Sequence, residues 1–123
     1  MTERFACEAG EGKYRISAVA IRCGRDWSVC VCGGEKHHVG AVSLAQYEPD
    51  RDSATVSTLT AFTHRDDAVS ARFAKALSAA FRCNVSVSVG IHVDDASPDE
   101  LRLLGENSEA CLKKLLALME EVK

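Results

Sequence analysis

All four histidines of the chain fall in three short polar segments. The first is Gly33-Gly34-Glu35-Lys36-His37-His38-Val39-Gly40. The second is Thr63-His64-Arg65-Asp66-Asp67, and the third is Gly90-Ile91-His92-Val93-Asp94-Asp95. Histidine beside carboxylate is the pairing used for proton transfer and for holding metals, because the acid orients the imidazole. His92 and Asp94 are two apart and share a face if the strand carrying them continues. His38, His64 and His92 together could hold a divalent metal, and a metal-dependent reaction would use these three with Asp94 or Asp66 as base. The plainer reading of His92 and Asp94 is a surface contact at a strand end.

The second segment stands where a strand meets a helix. A helix N-terminus presents unpaired N–H groups and the positive end of the dipole, so it favours an anion such as phosphate. Thr63, His64 and Arg65 would add donors there. The plainer alternative is that Thr63 only caps the helix, in the manner of a capping box with Asp66, and that Arg65 pairs with a nearby acid. In the first segment Gly33 and Gly34 suit an exposed hairpin turn, which leaves Gly40, inside a strand, unexplained.

No Walker loop, Gly-x-Ser-x-Gly or Gly-x-Gly-x-x-Gly motif is present. Cys30-x-Cys32 has no second Cys pair at zinc-finger spacing and reads as structural. These signals favour a binding site over a self-contained catalytic machine, and no catalytic residue is assigned.

The elements that must position these residues are legible from periodicity. Segments 13–23, 27–32, 38–46, 55–62 and 84–93 alternate or are β-branched, and read as strands. Residues 66–81 and the stretch after Ser97-Pro98-Asp99-Glu100 read as helices. On the second helix Leu101, Leu104, Ser108, Cys111, Leu115, Leu118 and Val122 mark one face, with Gly105 as a bend point near its second turn. The order is ββββ-α-β-α. It implies an α+β fold, with a mainly antiparallel five-stranded sheet and two helices packed on one face. Residues 1–12 read as an N-terminal tail and 13–123 as a single ligand-binding domain. The other sheet face, with Ser28, Cys30, Ser86, Ser88 and His92, either meets a second subunit or lines a ligand site.

Bulk properties narrow the partners. With 123 residues there is room for one domain. A net charge of −3 argues against nucleic acid, which calls for a basic stripe. No stretch approaches the roughly 20 apolar residues of a membrane span. Residues 1–12 hold Glu3, Glu8 and Glu11 and no apolar run, so no signal peptide is read and the chain is expected in the cytoplasm. In that setting the six cysteines are expected to be reduced thiols packed as small hydrophobes.

Taken together, GGEKHHVGAVSLA, THRDDAV and GIHVDDASPDEL, in this order, resemble the prenylated-flavin chaperone family. Those are small accessory proteins of UbiD-type decarboxylases, of the gallate decarboxylase D-subunit type. The resemblance spans roughly residues 13–121. It implies a protein that binds prenylated FMN and assists its delivery to, or maturation in, a decarboxylase subunit. It also implies cofactor-site roles for His38, Gly40, His64, Arg65, Gly90, His92 and Asp94, with the phosphate at the Thr63–Arg65 helix start. Thr63 stands where the resemblance leads one to expect Gly, and the Cys-rich second strand is a further departure. Flavin rings call for an apolar or aromatic wall. Only 6% of the chain is aromatic, so a homodimer interface that completes the pocket is expected. The competing readings are a small His-dependent metalloenzyme, hydrolase or lyase, and a structural subunit of an oligomeric enzyme.

Overall fold

The structure, a computed structural model, describes residues 3–61 and 65–121. Its elements in chain order are β1 (Arg4–Ala9), a 3-10 turn (Gly12–Tyr14), β2 (Ile16–Cys23), β3 (Asp26–Gly34), β4 (Ala41–Glu48), a second 3-10 turn (Pro49–Arg51), β5 (Ser53–Thr60), α1 (Arg65–Phe81), β6 (Val85–His92) and α2 (Pro98–Glu120). The class is α+β with two helices, but the sheet has six strands, in the order β1-β2-β3-β6-β4-β5.

Two differences from the sequence reading shape the site. The segment read as a tail supplies β1, which pairs antiparallel with β2 from Arg4↔Ile21 to Ala9↔Ile16. Phe5, Cys7 and Ala9 alternate with Arg4, Ala6 and Glu8 there, but six residues with two charges are a faint period-two signal. The second difference is the place of β6. It lies between β3 and β4, parallel to β3 and antiparallel to β4. Strands β3 and β4 are therefore not neighbours, and the link between them is not a hairpin turn.

Alternation sorts the strands cleanly. Ile16, Ala18, Ala20, Trp27, Val29, Val31, Val85, Val87 and Val89 are buried under the helices. Phe73 and Leu77 of α1 and Leu112, Leu115 and Met119 of α2 close over them. Burying each such large apolar side chain contributes about 1.5–3 kcal/mol. On α2 the buried stripe includes Leu104, Ser108, Cys111 and Leu115 as expected, with Leu112 and Met119 added and Leu118 only half-buried. Val122 lies outside the described residues. The helix starts as its sequence demands: the Ser97 hydroxyl accepts from the Glu100 N–H, and the Glu100 carboxylate accepts from the Ser97 N–H. It continues unbroken through Gly105.

The helices sit side by side: α1 lies over β4, β5 and β6, and α2 over β1 and β2. The Arg72 guanidinium donates to both carboxylate oxygens of Glu109, at 2.8 and 3.3 Å, and ties them together. Among the described residues no helix lies over the opposite face of the sheet. The cysteines divide accordingly. Cys111 is fully buried, with its Sγ 3.8 Å from that of Cys7, while Cys23 and Cys30 are exposed and are not core residues. No helix among the described residues is long and apolar enough to cross a membrane.

Candidate functional site

Because β3 and β6 are parallel, their C-terminal ends come out at the same side of the sheet, where α1 also begins. The link 35–40 leaves β3, crosses over the end of β6 and enters β4. It is pinned on β6 at both ends: the Glu35 N–H donates to the His92 carbonyl at 2.6 Å, and the Gly40 N–H donates to the Val89 carbonyl at 2.8 Å. The crossing is so close that a Cβ on Gly90 would collide with the His38 carbonyl, which explains the glycine in that strand. A Cβ on Gly40 would collide with the Asp66 carboxylate, so the close approach of link and helix needs glycine there too.

Asp66 is the centre of the arrangement. Only 1% of it is exposed. Its Oδ1 accepts from the Ile91 N–H at 3.1 Å, and its Oδ2 lies 3.1 Å from the His38 Nε2. The other ring nitrogen of His38 faces the Lys36 carbonyl at 3.2 Å.

A second pair stands beside it. The His92 Nε2 is 2.7 Å from the Asp94 Oδ1, and the Lys36 ammonium is 3.7 Å from the same oxygen. His92 first, and then Lys36, hold the Asp94 carboxyl below the usual carboxylate range. The Glu35 carboxylate accepts from the Asp94 N–H at 2.8 Å. The rings of His38 and His92 meet edge to face, with centroids 6.4 Å apart.

Behind this polar rim opens a cavity of about 630 Å³ between the N-terminal halves of α1 and α2. Asp66 and His92 stand at its polar side, while Val69, Ile91, Val93, Leu101 and Leu104 make its walls. The size lies within the range of small-molecule sites, and an apolar body with a few polar groups at one end is their usual chemistry.

The structure thus brings together His38, Gly40, Gly90, His92 and Asp94 from the sequence reading, and Arg65 is the first residue of α1 at the same place. Thr63 and His64 lie outside the described residues, so the three-histidine metal set and the Thr63 cap fall partly there. Among the described residues no group of three His, Cys, Asp or Glu side chains is arranged to hold a metal ion. Sequence reasoning did not assign Glu35 and Lys36 to the site, although they neighbour its histidines. It weighed Asp66 as a cap and as a base, not as a buried anchor, because an acid in the first turn of a helix is ordinary dipole chemistry. The cavity wall on α2 was read as plain core face.

One solved structure, described as a chaperone complex for yeast 20S proteasome assembly, shares the fold. The TM-score is 0.65 at 14% identity, over 98% of this chain and 96% of that one. No curated protein matches the chain. A family model does, over residues 10–120, which takes in all three polar segments and both helices that frame the cavity. On that match the chain belongs to the prenylated flavin chaperone LpdD-like domain family.

Proposed function

We propose that this protein is a cytoplasmic binding chaperone for prenylated FMN, which holds the cofactor reversibly and hands it to a UbiD-type decarboxylase subunit. The observation that carries the reading is that the family-like segments around His38, Asp66 and His92 converge on the mouth of a single apolar cavity. The residues fit such a group. The cavity takes the planar ring, and His38, His92 and Lys36 meet its polar edge. The phosphate is assigned to the segment Thr63, His64 and Arg65, of which Arg65 is the first residue of α1 and the other two lie outside the described residues. The cofactor's chemistry belongs to the decarboxylase; this chain's part is to bind, orient and release.

We also propose a homodimer, formed through the open sheet face and therefore away from the cavity between the helices rather than completing it. Val19, Ile21, Cys30, Val42, Leu44 and Leu59 point from that face, with Leu44 55% and Leu59 80% exposed. The solvated face of an antiparallel sheet is ordinarily polar. Here the middle of the face is uncharged, and its charges, Arg4 and Glu8 on the edge strand β1, Asp26 at the start of β3 and Glu48 at the end of β4, sit at its margins. Six strands about 4.8 Å apart and about 26 Å long offer on the order of 600 Å² of flat area, near the ~800 Å² per partner of a standard interface. The ridge of Val42, Leu44 and Leu59 lies beside a furrow of Ser28, Ser86 and Ser88, so a two-fold packing sets each ridge into the other furrow.

The test is anaerobic titration with reduced prenylated FMN and with plain FMN, followed by absorbance and gel filtration. Tight binding that prefers the prenylated form supports the chaperone reading. Failure to bind either flavin overturns it.

A further inference from the structure

Two of the cysteines stand where packing does not ask for them. Cysteine is among the most buried of residue types, yet Cys30 is exposed and Cys32 half-buried on the open face of the sheet. Both lie on β3, which is held on both sides, by β2 and by β6. Two apart on a strand, they share a face. Their Sγ atoms are 3.8 Å apart. The pair Cys7 and Cys111 has the same separation, but Cys111 is fully buried in the core.

The strand decides what two such thiols can do. Alternate residues of a strand stand about 6.6 Å apart, and their Cβ atoms run parallel at a similar distance. A disulfide needs Cβ atoms about 3.5–4.5 Å apart, so this pair cannot close one without bending β3 out of its ladder. An ion can bridge the gap instead, since two metal–sulfur bonds of about 2.3 Å span sulfurs up to about 4.6 Å apart. Rotation of the exposed Cys30 side chain supplies the small opening that a linear bridge needs.

The surroundings choose the ion. The cross-strand neighbours are Val19 and Ser88 for Cys30, and Ser17 and Gly90 for Cys32. The Ser17 hydroxyl donates to the Cys32 carbonyl at 3.4 Å. Among the described residues no third His, Cys, Asp or Glu side chain joins the two thiols. Structural zinc and iron–sulfur centres ask for four such ligands, and hard ions ask for oxygen. What remains is a soft ion that two sulfurs satisfy, and among biological metals that ion is Cu(I).

We propose that Cys30 and Cys32 form a two-sulfur site for Cu(I) on the open sheet face. Binding forms two copper–sulfur bonds and releases the two thiol protons, with no change in oxidation state. Burial first, and then Cys30, raises the Cys32 thiol to about 11, while the His38 backbone N–H works to lower it. That N–H belongs to the 35–40 link, so the ion sits beside the crossing of link and strand.

The test is anaerobic titration with Cu(I) against a chromophoric Cu(I) chelator, between pH 6 and 8. The dimer is assigned to the same face, so each titration is repeated in L44R, where a charge on the ridge leaves the pair uncovered. One Cu(I) per chain is expected. C30S and C32S should each weaken it at least about a hundredfold, while C7S and C23S stay within about twofold. Release of two protons makes the affinity rise about a hundredfold per pH unit, against about tenfold for a single thiol. Absence of binding in L44R, full binding in C30S, the tenfold pH dependence, or Zn(II) bound as tightly as Cu(I) overturns the assignment. C30S alters an exposed side chain, so it decides the matter even where C32S fails to fold.

Discussion

The buried carboxylate of Asp66 holds the end of β6 with one oxygen, through the Ile91 N–H, and the imidazole of His38 with the other, each at 3.1 Å. One side chain of α1 thus ties together the central strand and the link that crosses it. Removing it leaves a buried N–H without its acceptor. We expect D66A to lose about 2–3 kcal/mol in urea unfolding. D66N keeps the shape and an acceptor oxygen and is expected to lose less. Equal stability of D66A and wild type would show that the anchor contributes nothing.

The crossing of link and strand makes a second prediction. In G90A the new methyl meets the His38 carbonyl, so the link must lift from β6. Strain of this kind costs about 1–3 kcal/mol. Melting measures that cost, and flavin titration measures the displaced His38. A G90A protein with unchanged stability and binding would mean the link is loose in solution.

The start of α2 carries a pH dependence. The Glu100 carboxylate accepts from the Ser97 N–H and from the Tyr14 hydroxyl, with Lys13 at 3.3 Å, and the first two of these chiefly hold its pKa down to about 2. A depressed carboxylate adds stability above its unfolded pKa, near 4.5, and that stability is lost as pH falls through the folded value. Unfolding measured from pH 6 down to about 2 should therefore show a loss between those values that E100Q lacks. Parallel curves for the two proteins would assign the acid transition elsewhere.

The thiols report on the sheet face. Burial first, and then Cys7, pushes the Cys111 thiol up to about 12, and it is expected to alkylate only on unfolding. Cys23 and Cys30 are both exposed in the single chain. In a dimer formed through the open face, Cys23 at the β2–β3 turn still reacts and Cys30 is shielded. L44R, which puts a charge on the ridge, should sediment as a monomer and restore labelling of Cys30. Equal labelling of the two cysteines in wild type, or a monomer at micromolar concentration, removes that interface.

Five of the six strands and both helices were legible in the sequence because each is a local pattern. Val85, Val87 and Val89 alternate with serines, Trp27, Val29 and Val31 with serine and cysteine, and Ser97-Pro98 announces α2. What was not legible is which strand lies beside which. Nothing in Gly33–Gly40 says that β6 will come between β3 and β4, so a bridge over a strand looked like a turn. Gly40 stood out as a glycine inside a strand and Gly90 only through the family resemblance, but the groups that crowd them, the Asp66 carboxylate and the His38 carbonyl, come from elsewhere in the chain. The core side of α2 was readable as a stripe; the cavity at Leu101, Leu104 and Gly105 depends on how far apart two helices settle.

The central position of β6 also orders the assembly of the molecule. Strands β1 to β3 form a meander and β4 with β5 a hairpin, each from near neighbours in the chain, and such local pairings form early. Neither unit touches the other through strand pairing until β6, which follows both, slides between them. That last insertion completes the sheet and, in the same event, lays the 35–40 link across its end and brings His38 to Asp66. A chain still missing β6 has neither a continuous sheet nor a site. Any ligand of this site therefore binds the finished fold alone, and its binding energy is added in full to the stability of the native state.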